Sequence, residues 1–261
     1  MTVTVADPVV RVAAVRERFY VRMAAVCVAV GALGFAPTYW VPLAGGTLSV
    51  APITHLHGLV FYAWLLFFLA QTSLVASGRV GYHRELGLAG IALATAMFFV
   101  GMGVSIHRIQ ELEAAGLGMA GRRFAVVPMT SITFFAIVFA IAVRYVRRPA
   151  VHKRLVLVAT VALLQAPVAR WIRLFLAPAA PEPSVGSLPP SPSVPFSTIP
   201  ALLIDLLIVA AMIHDRRSTG RVHPAYWIAG GALLAVQLLR IPISRTDAWV
   251  ALTHQLSALA P

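Results

Sequence analysis

Apolar residues in this chain come in long runs separated by short polar and basic stretches. Crossing the hydrocarbon core of a bilayer takes about 20 mainly apolar residues in a helix. Seven stretches meet that length: residues 23–43, 56–77, 85–106, 124–143, 155–177, 196–213 and 225–243. The expected fold is therefore an all-α integral membrane bundle of seven transmembrane helices, forming one domain over residues 1–261. The connection APAAPEPSVGSLPPSPSVPF, residues 177–196, is too rich in Pro and Ser to be helical and too polar to be core, which predicts an external loop. After the last span, Thr246 or Asp247 offers an N-cap, and Trp249, Leu252, Leu256 and Leu259 follow at helical spacing. An amphipathic helix lying on the outer membrane face is expected there. Gly87, Gly90 and Ala94 on the third span, with Gly230 and Gly231 on the seventh, predict close approach of neighbouring backbones.

Composition agrees with the pattern: 59% of residues are hydrophobic, 11% are charged, and the mean hydropathy is +0.84. A formal charge of +12 raises the question of nucleic acid, but the basic residues fall in short clusters between apolar runs, so no nucleic-acid partner is expected. The lipid bilayer is the expected partner instead. With the N-terminus in the cytoplasm, fourteen of the 21 Lys and Arg residues fall on the inner side and seven on the outer, which places the C-terminus outside. Arg11, Arg16, Arg18 and Arg22 precede the first apolar run without a convincing cleavage site after it, the pattern of an uncleaved signal anchor. A single cysteine, Cys27, lies in an apolar stretch and excludes internal disulfides, CxxC motifs and CxxCH haem attachment.

The eight histidines fall at the expected membrane surfaces, four on each side. His83, His152, His214 and His223 lie on the inner side, with Asp215 beside His214. Neutral imidazole is the commonest metal ligand, and bundles assemble such sites from several helices. His83, His152 and His223 are the candidate ligands, with His214 or Asp215 completing the shell. A second possible site combines His55 and His57, which open the second span, with His107 at the end of the third. On one continuous helix His55 and His57 point about 200° apart, so both cannot face the bundle.

Asp205 lies near the middle of the sixth span, where a carboxylate is costly and is by default paired or functional. Depth counted along continuous helices puts Arg170 within one side chain of it, and Gln165 nearby. Gln71, Gln237 and Arg240 add further polar groups to the interior, and Pro167 frees a backbone carbonyl beside Gln165.

The stretches HLHG, LVASGRVGYHRELG, HKRLVLVAT and GRVHP carry a resemblance to an uncharacterised family of bacterial multi-span membrane proteins, over most of residues 55–225. His57, Trp64, Gln71, Gly78, Arg79, His83, Arg84, His152, Arg154, Arg170, Asp205, His223 and Pro224 look like its signature positions. The resemblance implies the bacterial inner (cytoplasmic) membrane and brings no activity with it. More distantly, the HR and HKRL openings are similar to membrane proteins linked to haem-copper oxidase assembly. Histidines at both faces are similar to those of dihaem b-type cytochromes, which place ligand pairs inside opposing helices. Schiff-base retinal chemistry is excluded, since the only lysine, Lys153, lies at a span's edge. HxxxH boxes, HExxH and a Walker A loop are all missing.

Three readings follow. In the first, a metal ion or haem b sits at the inner histidine cluster and serves redox or metal-dependent chemistry on a lipophilic small molecule. The second is a small-solute or proton-coupled carrier working through Asp205, Arg170 and Gln165. The third is an assembly factor that partners a respiratory complex.

Overall fold

The computed structural model describes the backbone of residues 8–176 and 192–259, and the side chains of residues 18–175 and 192–259. Most of the expected 177–196 loop, and the side chains of Arg11 and Arg16, lie outside the described residues. Among the described residues every regular element is helical. Six helical segments are long and apolar enough to cross a membrane. A bent pair, Arg18–Gly34 with Ala36–Ala44, makes up to seven if it counts as one span.

The bent pair, counted as the first of seven candidate spans, comprises α1 (Pro8–Gly34), a π-helical turn over Ala36–Trp40 and α2 (Val41–Ala44), with a 41° bend between its two parts. The second is α3 (Pro52–Ala76). Short helices precede the next two: α4 (Val80–Glu85) leads into α5 (Gly87–Ala114), and α6 (Gly118–Phe124) into α7 (Val126–Arg144). The fifth span consists of α8 (Pro149–Val161) and α9 (Gln165–Leu176), and α10 (Thr198–Thr219), α11 (Pro224–Ile243) and α12 (Asp247–Leu259) complete the chain. Proline opens α3, α8 and α11, where its missing N–H costs no helical hydrogen bond. Gly220 ends α10 in the left-handed region at φ 78°, which suits a residue without Cβ.

The break inside the fifth span has a local cause. Pro167 has no N–H to offer the carbonyl of Leu163, and its ring crowds that carbonyl. The helix accordingly opens into turns over residues 162–164 and restarts at Gln165. This broken span is also the most enclosed, with 61% of its apolar window buried against at most 50% in the other segments. It packs on α1, α7, α10 and α11, while α1, α3, α5, α7, α11 and α10 follow one another around it. From α3, Trp64 reaches in to donate to Thr160 Oγ1 at 3.2 Å. Its indole also meets Phe135 and Phe139 edge-on, with centroids 4.9 and 5.1 Å away.

Small residues set the closest contacts. Gly90 lies against the Phe67 ring at a distance where a Cβ would stand 2.6 Å from Cε1, and Gly230 meets Ile208 at an ordinary 3.5 Å. Gly87 and Gly231, by contrast, have nothing within 4 Å of an added Cβ. The tightest approach is one the sequence pattern did not indicate: Gly34 sits directly on Pro167 of the broken span.

The terminal helix forms as expected, with Thr246 Oγ1 accepting from the Trp249 amide at 3.2 Å. It docks on α5 and α6. Trp249 and Leu256 pack toward Ile109, Ala125 and Met129, and Thr253 and Ser257 are buried beside them. Leu252 and Leu259 are exposed, so the expected apolar stripe is divided between protein and surroundings.

Candidate functional site

Two polar regions occupy the two ends of the bundle. At the first, α8 begins, α10 ends and α11 begins, and three of the five expected metal ligands there have other commitments. Asp215, 2% exposed, receives Arg154 Nε at 2.8 Å on one oxygen and Arg154 Nη2 at 2.6 Å on the other. It also accepts the His223 backbone amide at 3.2 Å. His223 caps α11 by accepting the Ala225 amide on Nδ1 at 3.1 Å. Burial, and then the neighbouring Arg154 guanidinium, hold its imidazole below the ordinary histidine value. His214 stacks on Phe19, with ring centroids 3.8 Å apart and planes within 3°.

His83 and His152 do come together, with ring centroids 6.4 Å apart. Nδ1 of His152 lies 2.8 Å from the Ala142 carbonyl oxygen, and Nδ1 of His83 lies 2.7 Å from Gln71 Oε1. Both of those oxygens can only accept, so each ring donates from Nδ1, and in the neutral tautomer its acceptor is Nε2. Among the described residues no three His, Cys, Asp or Glu side chains gather closely enough to hold a metal ion. The five-residue shell expected from the sequence is thus reduced to a pair of imidazoles. Arg154 takes the carboxylate, and capping takes one histidine.

The second expected histidine group is likewise dispersed. His55 Nδ1 pairs with the Tyr39 hydroxyl at 2.7 Å, and His57 lies over Phe61 with centroids 4.1 Å apart. One turn back from Glu111, His107 faces its carboxylate at 3.3 Å.

The other polar region lies inside the opposite half of the bundle and is centred on Arg240, which is 1% exposed. Its guanidinium donates three hydrogen bonds, all to neutral oxygens: Nε to Thr130 Oγ1 at 2.8 Å, Nη1 to Gln165 Oε1 at 2.9 Å and Nη2 to Ser131 Oγ at 2.8 Å. Gln165 Nε2 closes the triangle by donating to Ser131 Oγ at 2.6 Å. The break before Gln165 places this side chain at the junction of the fifth span's two halves. One turn from Arg240 on α11, Gln237 donates to Asp205 Oδ1 of α10 at 3.3 Å. Its own Oε1 is buried without a hydrogen-bond partner. Asp205 is half-buried, and among the described residues no cation stands within ion-pair distance of it.

Arg170, the expected partner of Asp205, is directed elsewhere. Its Nε donates to Thr38 Oγ1 at 2.9 Å, Nη1 donates to the Ala166 carbonyl, and the guanidinium lies 4.1 Å over the Phe35 ring. The depth count assumed an unbroken helix, whereas the turn before Gln165 resets the phase and aims Arg170 at the first span. Gln71 is buried on α3 and meets His83 of α4. Gln165 and Asp205 are instead linked through Arg240 and Gln237 of α11. Thr130 and Ser131 carried no signal, since hydroxyls in an apolar run usually bond their own helix; both also do so here, to Val126 and Val127.

No family model matches the chain, and neither does any curated protein or solved structure.

Proposed function

We propose that the protein is a membrane carrier for a small anionic solute that moves together with a proton. One observation carries this reading: a fully buried arginine is hydrogen-bonded by neutral oxygens, while the nearby carboxylate of Asp205 takes a hydrogen bond from Gln237 and forms no ion pair with that arginine among the described residues. Arginine stays charged at any working pH, and three of its five donors are used, which leaves two for an anion's oxygens. An anion arriving there makes the negative form of Asp205 less favourable, so the carboxylate takes up a proton. Solute and proton then enter with no net charge, the state in which a low-dielectric interior is easiest to cross. Discontinuous spans beside buried ionisable groups suit such a role, and the fifth span provides one.

The test uses full-length protein in liposomes with a trapped pH dye, under inward gradients of small carboxylates and phosphate. Wild-type protein should acidify the lumen with at least one of these anions. Asp205→Asn should keep solute exchange and lose the proton, and Arg240→Gln should lose both. Proton movement in Asp205→Asn equal to wild type, or none with any anion in wild type, overturns the reading.

A metal is a second reading, resting on His83 and His152 alone. Each has Nδ1 held by a carbonyl oxygen, the arrangement that orients histidine ligands through Nε2. The pair would supply two ligands. Metal content of the purified protein, lost in His83→Ala and in His152→Ala, would support it; equal content in both variants would remove it.

A further inference from the structure

Arginines mark out a line along α9. At its start Gln165 holds the buried Arg240, and Arg170 stands five residues further on, about 7.5 Å along the helix axis. Arg173 follows within one turn and is exposed. Arg170 itself is half-buried against the first helix pair. Its guanidinium lies 4.1 Å over the Phe35 ring and donates to Thr38 Oγ1 at 2.9 Å and to the Ala166 carbonyl at 3.0 Å. Three of its five N–H groups thus remain without an acceptor among the described residues. No carboxylate of the described residues lies within ion-pair distance of it. The ionisable groups near enough to act on it are Arg173 and the Tyr62 phenol, neither of which is negative at neutral pH. Thr38 is exposed, and its hydroxyl, while accepting from Arg170, has no acceptor for its own proton among the described residues. On α3, His57 lies within electrostatic reach of Arg170, and its Nδ1 is buried without a hydrogen-bond partner.

We infer that Arg170 and Thr38 form a second site for a small oxyanion, the station that receives the solute before it passes to Arg240. The identity of the anion as the solute rests on the carrier reading; the site does not. A guanidinium keeps its charge at any working pH, and one without an acid beside it draws a counter-ion from solution. Carboxylate or phosphate oxygens match the free N–H groups and the hydroxyl 2.9 Å away, through charge-assisted hydrogen bonds. The Phe35 face covers one side of the guanidinium, so its edge is the part left to a ligand. The three arginines also differ in exposure in the order an entering anion needs. Arg173 meets water, Arg170 is half-buried and Arg240 is enclosed, so hydration is given up in steps.

The experiment measures uptake of acetate and of phosphate by full-length protein in phosphatidylcholine liposomes, and the rise in Tm that each anion causes in neutral detergent at constant ionic strength. Arg170→Gln should raise the uptake KM about tenfold with the maximal rate nearly kept, and Thr38→Val, at an exposed position, should raise it about threefold. Arg170→Lys, which keeps the charge, should fall between wild type and Arg170→Gln. Trp171→Phe loses the other side-chain hydrogen bond from α9 to the first helix pair, the one to the Leu33 carbonyl, and Arg245→Gln loses an exposed charge. Both should leave KM unchanged. If wild-type protein moves neither anion, the carrier reading fails, and the Tm rise still decides the site: it should need about tenfold more anion in Arg170→Gln. An unchanged KM in Arg170→Gln, an equal change in Trp171→Phe or Arg245→Gln, or, without transport, a Tm rise absent or unaltered by Arg170→Gln overturns the inference. So does a Tm rise with phosphatidylglycerol but with neither soluble anion, which would place a lipid headgroup there.

Discussion

Arg154 and Asp215 form a two-pronged ion pair buried between α8 and α10, at 2.8 and 2.6 Å, with both side chains less than a tenth exposed. Removing one partner strands the other charge in the interior. Asp215→Ala should therefore cost roughly 3–5 kcal/mol, and the double replacement Arg154→Met with Asp215→Leu should recover most of it. Thermal unfolding of the three variants in detergent decides this. A double variant as unstable as Asp215→Ala would show that the carboxylate acts mainly through the His223 amide.

Arg240→Lys keeps the charge but not the planar fork that reaches Thr130, Gln165 and Ser131 together. A loss of about 2–3 kcal/mol is expected from the unmet hydrogen bonds. Asp205→Asn, which keeps an acceptor for Gln237, should unfold within about 1 kcal/mol of wild type. Similar stability of the lysine variant and wild type would show that the three oxygens do not depend on the guanidinium.

Gly34 has no room for a methyl group against the Pro167 backbone, whereas Gly231 faces open space on its helix. Gly34→Ala should destabilise by about 1–3 kcal/mol through forced displacement of α9 from α1. Gly231→Ala should be neutral or stabilising by up to about 1 kcal/mol, since alanine favours the helix. Equal Tm values for the two variants would mean that the first and fifth spans part easily.

The His223 imidazole gives a pH dependence with a definite sign. Its folded-state value is lowered by burial and by Arg154 of α8, with Arg221 adding to the effect and Asp215 of α10 opposing it. The unfolded chain thus binds the proton more readily. The stabilisation is complete above the ordinary histidine range near about 6.5 and is lost as pH falls from there toward the depressed folded value. Tm should drop between about pH 7.5 and about pH 5, and His223→Asn, which preserves an N-cap acceptor, should flatten part of that drop. An unchanged slope in the variant would assign the dependence to other groups.

Helix positions were legible because each is written locally: an apolar run of sufficient length, with Pro52, Pro149 and Pro224 at the starts and Gly220 after an end. Lateral neighbours were not. Which helix stands beside which is not encoded in any one segment. Gln237 and Arg240 on α11 therefore stand beside Asp205 and Gln165, while Arg170 on α9 turns to Thr38 of the first helix pair. The histidines show the same limit from another side. His83 and His152 lie near each other, yet Asp215 turned to Arg154, a guanidinium five residues after the Pro149 that opens α8. Pro167 was recognised as freeing a carbonyl, but not as resetting the direction of every side chain after it.

The enclosed position of the fifth span also bears on the order in which the chain is made. When Arg144 leaves the ribosome, α1, α3, α5 and α7 exist, but the helix that will bury Leu157, Val158 and Val161 among them does not. The nascent protein is at that stage an unfilled groove, vulnerable to the misassembly that exposed surfaces invite. Arg154 then emerges some sixty residues ahead of the carboxylate that will neutralise it. Arg240 meets the opposite situation. Thr130, Ser131, Gln165 and Asp205 are all synthesised before it, so the last deeply buried charge of the chain arrives at a berth already built.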